Sequence, residues 1–250
     1  EAEIVKQARH AKQLNDARVA LRSTILSAKR LAGSQWMRAE TRTKLNQTIA
    51  NASTYLESTN VASIGQARQQ MDSLIDQINQ LISATNAELL QIEERLRATP
   101  TVADGNGNYT QSATNIVNAA GLKVVWGLEQ MRGYCVITEQ NIASWMAAFC
   151  TGAPGNVYIN SRMSARASFD RYFADAMRHE VGHYLIFRRC GTTEPASIGS
   201  QANAESTASS YAVLYLGANA NTLNRATDAR YHMDELSDQA AARIHAGQCE

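Results

Sequence analysis

Residues 179–183 read His179-Glu180-Val181-Gly182-His183, and they lie within a stretch, 168–190, that we expect to form one long helix. Residues four apart on a helix share a face, so the imidazoles of His179 and His183 can point at one ion. Glu180 is offset by one position, which lets its carboxylate reach a water molecule held by that ion. The stretch therefore predicts a catalytic metal centre carried by a helix.

The pattern H-E-x-x-H resembles the motif of the zincins, a superfamily of zinc peptidases. The resemblance implies one catalytic Zn²⁺ ion, with His179 and His183 as ligands and Glu180 as the general base. It also implies a protein or peptide substrate, whose peptide bond is hydrolysed by an activated water molecule.

A third ligand must come from elsewhere in the chain, because catalytic zinc typically takes three protein ligands and keeps a position for water. Glu205 follows His183 by 22 positions and lies in the first turn of another predicted helix. A helix-borne glutamate after such a gap resembles the ligand arrangement of the gluzincins. We therefore expect Glu205 to be the third ligand.

Other zincin patterns do not fit the sequence. The metzincins carry Gly and His where this chain has Ile186 and Arg189, and the aspzincins carry Asp where it has Pro195. Three other residues stay open as alternatives for the third ligand: Glu194, Asp228 and His232.

Two departures from the thermolysin-like gluzincins lie next to Glu205. Those families often have Asn directly before the glutamate, and Asp four residues after it to orient a ligand histidine. Here Ala204 and Ser209 occupy these positions. The departures indicate that the ligand histidine is supported more weakly or from elsewhere in the chain.

The oxyanion that develops during peptide hydrolysis needs a donor besides the metal ion. The candidates, in order of preference, are His232, Tyr231 and Tyr211. His232 lies between Asp228 and Asp234, whose carboxylates could orient its imidazole. A histidine at the surface or at a helix cap is the alternative interpretation of His232.

The four cysteines contain no C-x-x-C pair, which argues against a zinc knuckle or a thioredoxin-type redox site. We expect two disulfides in a secreted, extracellular or cell-surface protein. The preferred pairing is Cys135–Cys150 and Cys190–Cys249, although four cysteines allow three pairings. Buried free thiols in a cytosolic protein are the alternative.

The chain changes character near residue 100, and its fold class is predicted to be α+β. We expect an all-α, antiparallel three-helix bundle over residues 1–99, a linker over 100–110, and a small, mainly helical zincin-like domain with a short β-sheet over 111–250. Apolar residues recur at three- and four-residue steps along the three predicted helices. They are Ile4, Ala8, Ala11, Leu14, Leu21, Ile25 and Ala28; then Leu45, Ile49, Ala52 and Leu56; then Met71, Leu74, Ile78, Leu81, Leu89, Ile92 and Leu96.

The second half has a mixed pattern before the motif helix. It predicts a helix over 112–120, strands over 123–128, 134–137 and 157–160, and a helix over 139–150 behind Thr138 as N-cap. The resemblance to the zincins implies that the strand over 157–160 is the edge strand that holds an extended substrate.

Residues 21–82 resemble the FIVAR or GA-like three-helix modules of bacterial surface and secreted enzymes. The similarity lies in the rhythm of LRSTILSAKRLAG, TRTKLNQTIANASTYL and ARQQMDSLIDQINQLI. It implies an accessory role, such as a spacer or a contact with the cell wall, a glycan or another protein. The alternative is that these apolar stripes serve only as a structural core.

The formal net charge of +1 gives no reason to expect a nucleic-acid partner, and the longest apolar runs are too short for a membrane span. The function we expect is a secreted zinc endopeptidase. A non-catalytic adhesion or binding protein with a structural or vestigial zinc site is the alternative. An intracellular metallopeptidase or regulator is a third hypothesis, which the cysteines disfavour.

Overall fold

A computed structural model describes residues 2–34, 37, 39–200 and 202–250 of the chain. The fold is α+β and mainly helical, with one three-stranded sheet, which confirms the predicted fold class. The chain divides into two compact units, Glu1–Thr85 and Asn86–Glu250. No helix in the described ranges is both long enough and apolar enough to cross a membrane.

The first unit contains α1 (Ala2–Ser34), α2 (Ala39–Thr54) and the first part of α3 (Val61–Ala98). All three helices contribute apolar side chains to one core, as their spacing predicts. The buried members are Leu21, Ile25, Ala28, Met37, Leu45, Ile49, Ala52, Ile64, Ala67, Met71, Leu74 and Ile78.

The predicted apolar stripe of α1 begins too early. Ile4 is 71% exposed, Ala8 and Ala11 are also exposed, and in α3 Leu81 is 61% exposed. A helix rises about 1.5 Å per residue, so α1 is about 50 Å long and α2 only about 24 Å. α2 therefore spans only about half the length of α1, and the first turns of α1 lie outside the shared core, which begins at Leu14.

The first unit ends earlier than the boundary at residue 99 that the sequence suggests. The carboxyl-terminal part of α3, from Asn86, belongs to the second unit. Leu89, Ile92 and Leu96 on this part are buried, and the side chain of Glu93 bonds to residues of the second unit. The apolar stripe of α3 therefore continues beyond the core of the first unit, and its last part is buried in the second unit.

The second unit begins with α4 (Thr110–Ala119) and the sheet strands β1 (Lys123–Trp126), β2 (Ala147–Phe149) and β3 (Asn156–Ile159). The strand order is β1-β3-β2, with β1 parallel and β2 antiparallel to β3. The prediction that residues 157–160 form an edge strand is therefore wrong. β3 pairs on both sides of its backbone, and β2 is the edge strand that lies against the motif helix.

Two further predictions in this region need correction. Residues 134–137 form no strand but an irregular segment, and the helix predicted over 139–150 is α5 (Glu139–Ser144) followed by β2. Thr138 does cap α5, since its hydroxyl accepts the N–H of Asn141. The chain leaves the helix at Trp145 because the next residues pair with β3, and this pairing overrides the local helical pattern.

The rest of the second unit is helical: α6 (Ser161–Ala167), α7 (Tyr172–Cys190), α8 (Ala204–Leu216), α9 (Ala220–Leu223) and α10 (Glu235–His245). The motif helix α7 is the central element, because it contacts α4, α8, α10 and the sheet. It ends where Gly191 adopts a left-handed conformation with φ of 72°.

Arg178 anchors α7 one residue before the motif, although its side chain is almost fully buried. Its Nη2 donates to the carbonyl of Thr99 at 2.6 Å, and its Nε donates to the carbonyl of Leu216 at 2.9 Å. A buried guanidinium is tolerated when its donors are satisfied in this way. Arg178 therefore joins the start of the second unit, the motif helix and the end of α8.

Two disulfides join Cys135 to Cys150 and Cys190 to Cys249, which confirms the preferred pairing. No cysteine in the described part of the chain is free, so the alternative of buried thiols is wrong. The second disulfide ties the last residue of α7 to the carboxyl-terminal segment, across 59 positions of chain.

Candidate metal centre

His179, His183 and Glu205 converge in the second unit. Oε2 of Glu205 lies 3.1 Å from Nε2 of His179 and 3.2 Å from Nε2 of His183. One donor atom from each of the three residues lies within 4.8 Å of the others. Two imidazole nitrogens and one carboxylate oxygen at this separation can bind one metal ion.

Local sequence explains how α8 presents Glu205. Asn203 caps the helix, since its side chain accepts the N–H of Ser206 while Ser206 Oγ accepts the N–H of Asn203. The cap starts α8 one residue before Glu205, so that its carboxylate lies in the first turn.

The distance between α7 and α8 depends on Gly182, the second variable residue of the motif. A Cβ atom at this position would lie 2.8 Å from the carbonyl oxygen of Ala208, which is a backbone atom. Any other residue at 182 would therefore push α8 away from α7. The glycine allows the close approach that brings Glu205 to the two histidines.

Ser209 lies one helical turn after Glu205 and supports the first histidine. Its Oγ lies 3.0 Å from Nδ1 of His179. The ring of His179 is thereby held with Nε2 towards Glu205, which is the arrangement expected of a supported metal ligand. Nδ1 of His183, in contrast, is buried and has no partner among the described residues.

Glu180 is buried beside these groups, with 8% of its surface exposed. Its Oε2 accepts the backbone N–H of Phe149 on β2 at 2.7 Å. Burial raises the pKa of Glu180 above its ordinary value, although His179 and His183 oppose the shift. A carboxyl group with a raised pKa is suited to accepting a proton and giving it up again near neutral pH.

The electrostatics of Glu205 suit a cation. Burial would raise the pKa of its carboxyl group, but His183 and His179 outweigh this effect and hold the pKa far below the usual range. Glu205 is therefore a carboxylate, and a metal ion can replace the imidazole protons as the positive charge beside it. Two imidazole nitrogens and a carboxylate oxygen are a ligand set that zinc prefers. The residues present fit a zinc ion.

A cavity of about 870 Å³ opens onto the motif. His179, Glu180 and Ser209 line it, together with Tyr172 and Tyr231. The ring of Tyr231 lies 5.3 Å from that of His179, centroid to centroid. Burial raises the pKa of both tyrosines, and the nearby carboxylates raise it further, so both hydroxyls stay protonated and can donate.

Tyr211, which the sequence predicts as a candidate oxyanion donor, does not line this cavity. It is fully buried, and its hydroxyl donates to Oε1 of Glu93 at 2.5 Å. Nε of Arg189 donates to the same hydroxyl at 2.9 Å. Both hydrogen bonds hold Tyr211 in a separate polar network.

The other predicted residues are also placed. His232 is outside the cavity lining, and its Nε2 lies 2.8 Å from the carbonyl oxygen of Ala226. Asp228 pairs with Arg230 at 2.6 Å and lines the cavity. Glu194 is exposed. The pKa of His183 is raised against the effect of burial, mainly by Glu205, and Glu194 adds the smallest of the contributions. None of these three belongs to the cluster of candidate ligands.

Four features of the site were not assigned from the sequence: the contact of Ser209 with His179, the N–H of Phe149, the hydroxyl of Tyr172 and the basic residues of the cavity. The amino-acid sequence contains a recognisable signal for only two of these features. Ser209 stands where the thermolysin-like families carry Asp, and Arg162 and Arg166 have helical spacing just before the motif helix. The other two depend on β2 and on the start of α7.

Comparisons of the chain with protein-family profiles, with curated proteins and with solved structures find no match.

Proposed function

We propose that this chain is a secreted, zinc-dependent endopeptidase. The observation that carries the proposal is the convergence of His179, His183 and Glu205 beside the buried carboxyl group of Glu180, at the wall of a large cavity. A metal site that served structure alone would need no proton acceptor next to it.

His179, His183 and Glu205 would hold the ion. When bound, zinc supplies Lewis acidity, which lowers the pKa of water and polarises a carbonyl group. Ser209 would keep Nε2 of His179 aligned for this role by engaging Nδ1.

Glu180 would act as the general base and then as the general acid. Its carboxylate removes the proton from the attacking water molecule and delivers it to the departing amine. The N–H of Phe149 holds Oε2 of this carboxylate at 2.7 Å, so the other oxygen is free to receive the proton. Because β2 supplies that N–H, the edge strand and the general base are coupled directly.

The oxyanion would be stabilised by tyrosine. Tyr231 and Tyr172 line the cavity with His179 and Glu180, and both hydroxyls carry their protons at neutral pH. The sequence predicts Tyr231 as a candidate oxyanion donor. Tyr172 is a further candidate because it lines the same cavity.

Secretion fits the covalent structure of the second unit. Two disulfides persist in oxidising compartments and are rare in the cytosol. We propose that the first unit is an accessory module that contacts a cell wall, a glycan or a protein. It is supported by the separate apolar core of that unit, and by the cavity residues, which all come from positions 140–231.

Zinc content measured together with peptide hydrolysis tests the proposed activity. We expect about one zinc ion per chain, loss of that ion in Glu205→Ala, and retention in Glu180→Gln with loss of hydrolysis. Glu194→Ala and His232→Ala are matched controls, since both residues were alternatives for the third ligand and both variants should retain zinc.

Each outcome has a distinct meaning. If zinc were retained in Glu205→Ala but lost in His232→Ala, the third ligand would be His232 and not Glu205. Zinc bound by the wild type without cleavage of any peptide in a broad library would favour a structural metal site. Cleavage by Glu180→Gln as fast as by the wild type would contradict Glu180 as the general base. A wild-type chain that binds no zinc when it is supplied would rule out the metallopeptidase.

A further inference from the structure

The cavity beside the candidate metal centre carries an uneven set of charges. Four arginines line it, and two of them are paired with carboxylates of the same cavity. Arg225 pairs with Asp170, and Arg230 pairs with Asp228.

The remaining two arginines, Arg162 and Arg166, have no carboxylate partner in the described parts of the chain. They are one helical turn apart on α6, and both side chains are exposed. Residues at this spacing lie on the same helix face, so both guanidinium groups are available to one ligand. The helix that carries them packs against the motif helix α7.

Other residues of the same cavity suit a bound side chain. Met163 and Trp145, both half-buried, line the same cavity, and Gln140 and Ser144 add neutral hydrogen-bonding groups. A peptide that fills the cavity would displace water from the arginines, and exclusion of water strengthens the attraction of a guanidinium to a carboxylate. A planar guanidinium can also bind a carboxylate with two parallel hydrogen bonds.

We propose that Arg162 and Arg166 select peptide substrates that carry an aspartate or glutamate near the cleaved bond. This inference rests on the proposed peptidase function and adds a substrate class to it. A basic side chain at the same position would be disfavoured, because it would meet two unpaired positive charges.

Matched peptides that differ by one residue test this selection. A fluorogenic series would place Glu, Gln or Lys at each of the four positions on either side of the cleaved bond. At one position we expect kcat/KM to be about 5-fold higher for Glu than for Gln at low salt, with the ratio falling towards one as ionic strength rises. Lys at that position should be the poorest substrate.

Charge reversal supplies the decisive variant. In Arg162→Glu/Arg166→Glu we expect the order to invert, so that Lys peptides are cleaved faster than Glu peptides. Lys12→Glu/Lys29→Glu is the control, because it makes the same change in net charge at two exposed residues of α1. It should keep the wild-type order, and zinc content should be unchanged in both variants.

The two proposals can fail separately. Equal cleavage of Glu and Gln peptides at every position, with hydrolysis intact, would overturn the arginine pair as a selecting surface. If no peptide is cleaved, fluorescence anisotropy of the same labelled peptides on the wild-type protein still decides the matter. Tighter binding of Glu than Gln peptides, lost in Arg162→Gln/Arg166→Gln, would support the arginine pair, and equal binding would overturn it.

Discussion

Oγ of Ser209 lies 3.0 Å from Nδ1 of His179, and Ser209 is one helical turn from Glu205 on the same helix. One helix therefore contributes both a candidate ligand and the group that orients another ligand. The thermolysin-like peptidases, which the motif resembles, often place Asp at this position, and in this chain the shorter, neutral serine contacts Nδ1 of His179. The orientation of His179 thus depends on how closely α8 approaches α7.

Ser209→Ala should weaken zinc binding. Groups that orient a ligand histidine are typically worth about 10- to 100-fold in metal affinity, and we expect the lower part of this range for a neutral hydroxyl. Competition with a chromogenic chelator would measure the dissociation constant. Ser210→Ala is the matched control, because its Oγ contacts Ser237 and not a histidine. Equal affinities in the two variants would contradict the role of Ser209.

Gly182→Ala should disturb both stability and metal binding. The added Cβ would lie 2.8 Å from the carbonyl oxygen of Ala208, so α8 must move. Overpacking of this kind costs about 1–3 kcal/mol, and displacement of Glu205 should raise the zinc dissociation constant. Thermal unfolding and chelator competition would measure the two effects.

Gly65→Ala is the control for that change. Gly65 lies within α3, and a Cβ there has no atom within 4 Å. Because alanine favours helix over glycine, we expect stability to rise by about 0.5–1 kcal/mol, with zinc affinity unchanged. If Gly182→Ala also raised stability and left zinc affinity unchanged, the close approach of Gly182 to Ala208 would not determine the position of α8.

Glu93→Gln should destabilise the second unit strongly. Glu93 is fully buried, and its Oε1 lies 2.8 Å from Nη2 of Arg189. Loss of the carboxylate would leave a buried guanidinium without its counter-charge, which costs about 3–5 kcal/mol. Urea unfolding would measure the loss. Glu94→Gln is the control, because Glu94 is exposed. An equally small loss of stability in both variants would contradict the role of Glu93 as the counter-charge of Arg189.

The same carboxyl group predicts how stability depends on pH. Burial alone would raise the pKa of Glu93, but hydrogen bonds from His245, Tyr211 and Arg189 outweigh it and hold the pKa below its ordinary value. The unfolded chain then takes up this proton first, at a pKa of about 4.3. The stabilisation from Glu93 is therefore complete above that pH, and it is lost as the pH falls through the lower folded pKa.

We expect Glu93→Gln to be less stable than the wild type at both pH 7 and pH 5, where the carboxyl group of Glu93 is ionised in the folded and in the unfolded chain. Below pH about 4.3 the difference in their free energies of unfolding should narrow, because the wild type loses a contribution that the variant does not have. Urea titrations across this range would measure the difference. A difference that widened as the pH fell below about 4.3 would mean that the folded pKa of Glu93 is raised rather than lowered.

Local signals in the sequence determined much of the helical structure and part of the site. Spacing of four residues put His179 and His183 on one helix face, and Thr138 marked the start of α5. Apolar periodicity indicated the presence of α1, α2 and α3. These features depend on residues within a few turns of each other, so the chain alone specifies them.

Only the tertiary structure decided the sheet order, the end of the first unit and the support of the site. β3 became the central strand because β2 pairs with it where a helix was expected, and β2 then supplied the N–H that holds Glu180. The approach of Ala208 to Gly182, which brings Glu205 to the histidines, joins residues of two helices. Such contacts between distant segments depend on packing and leave no periodic pattern in the sequence.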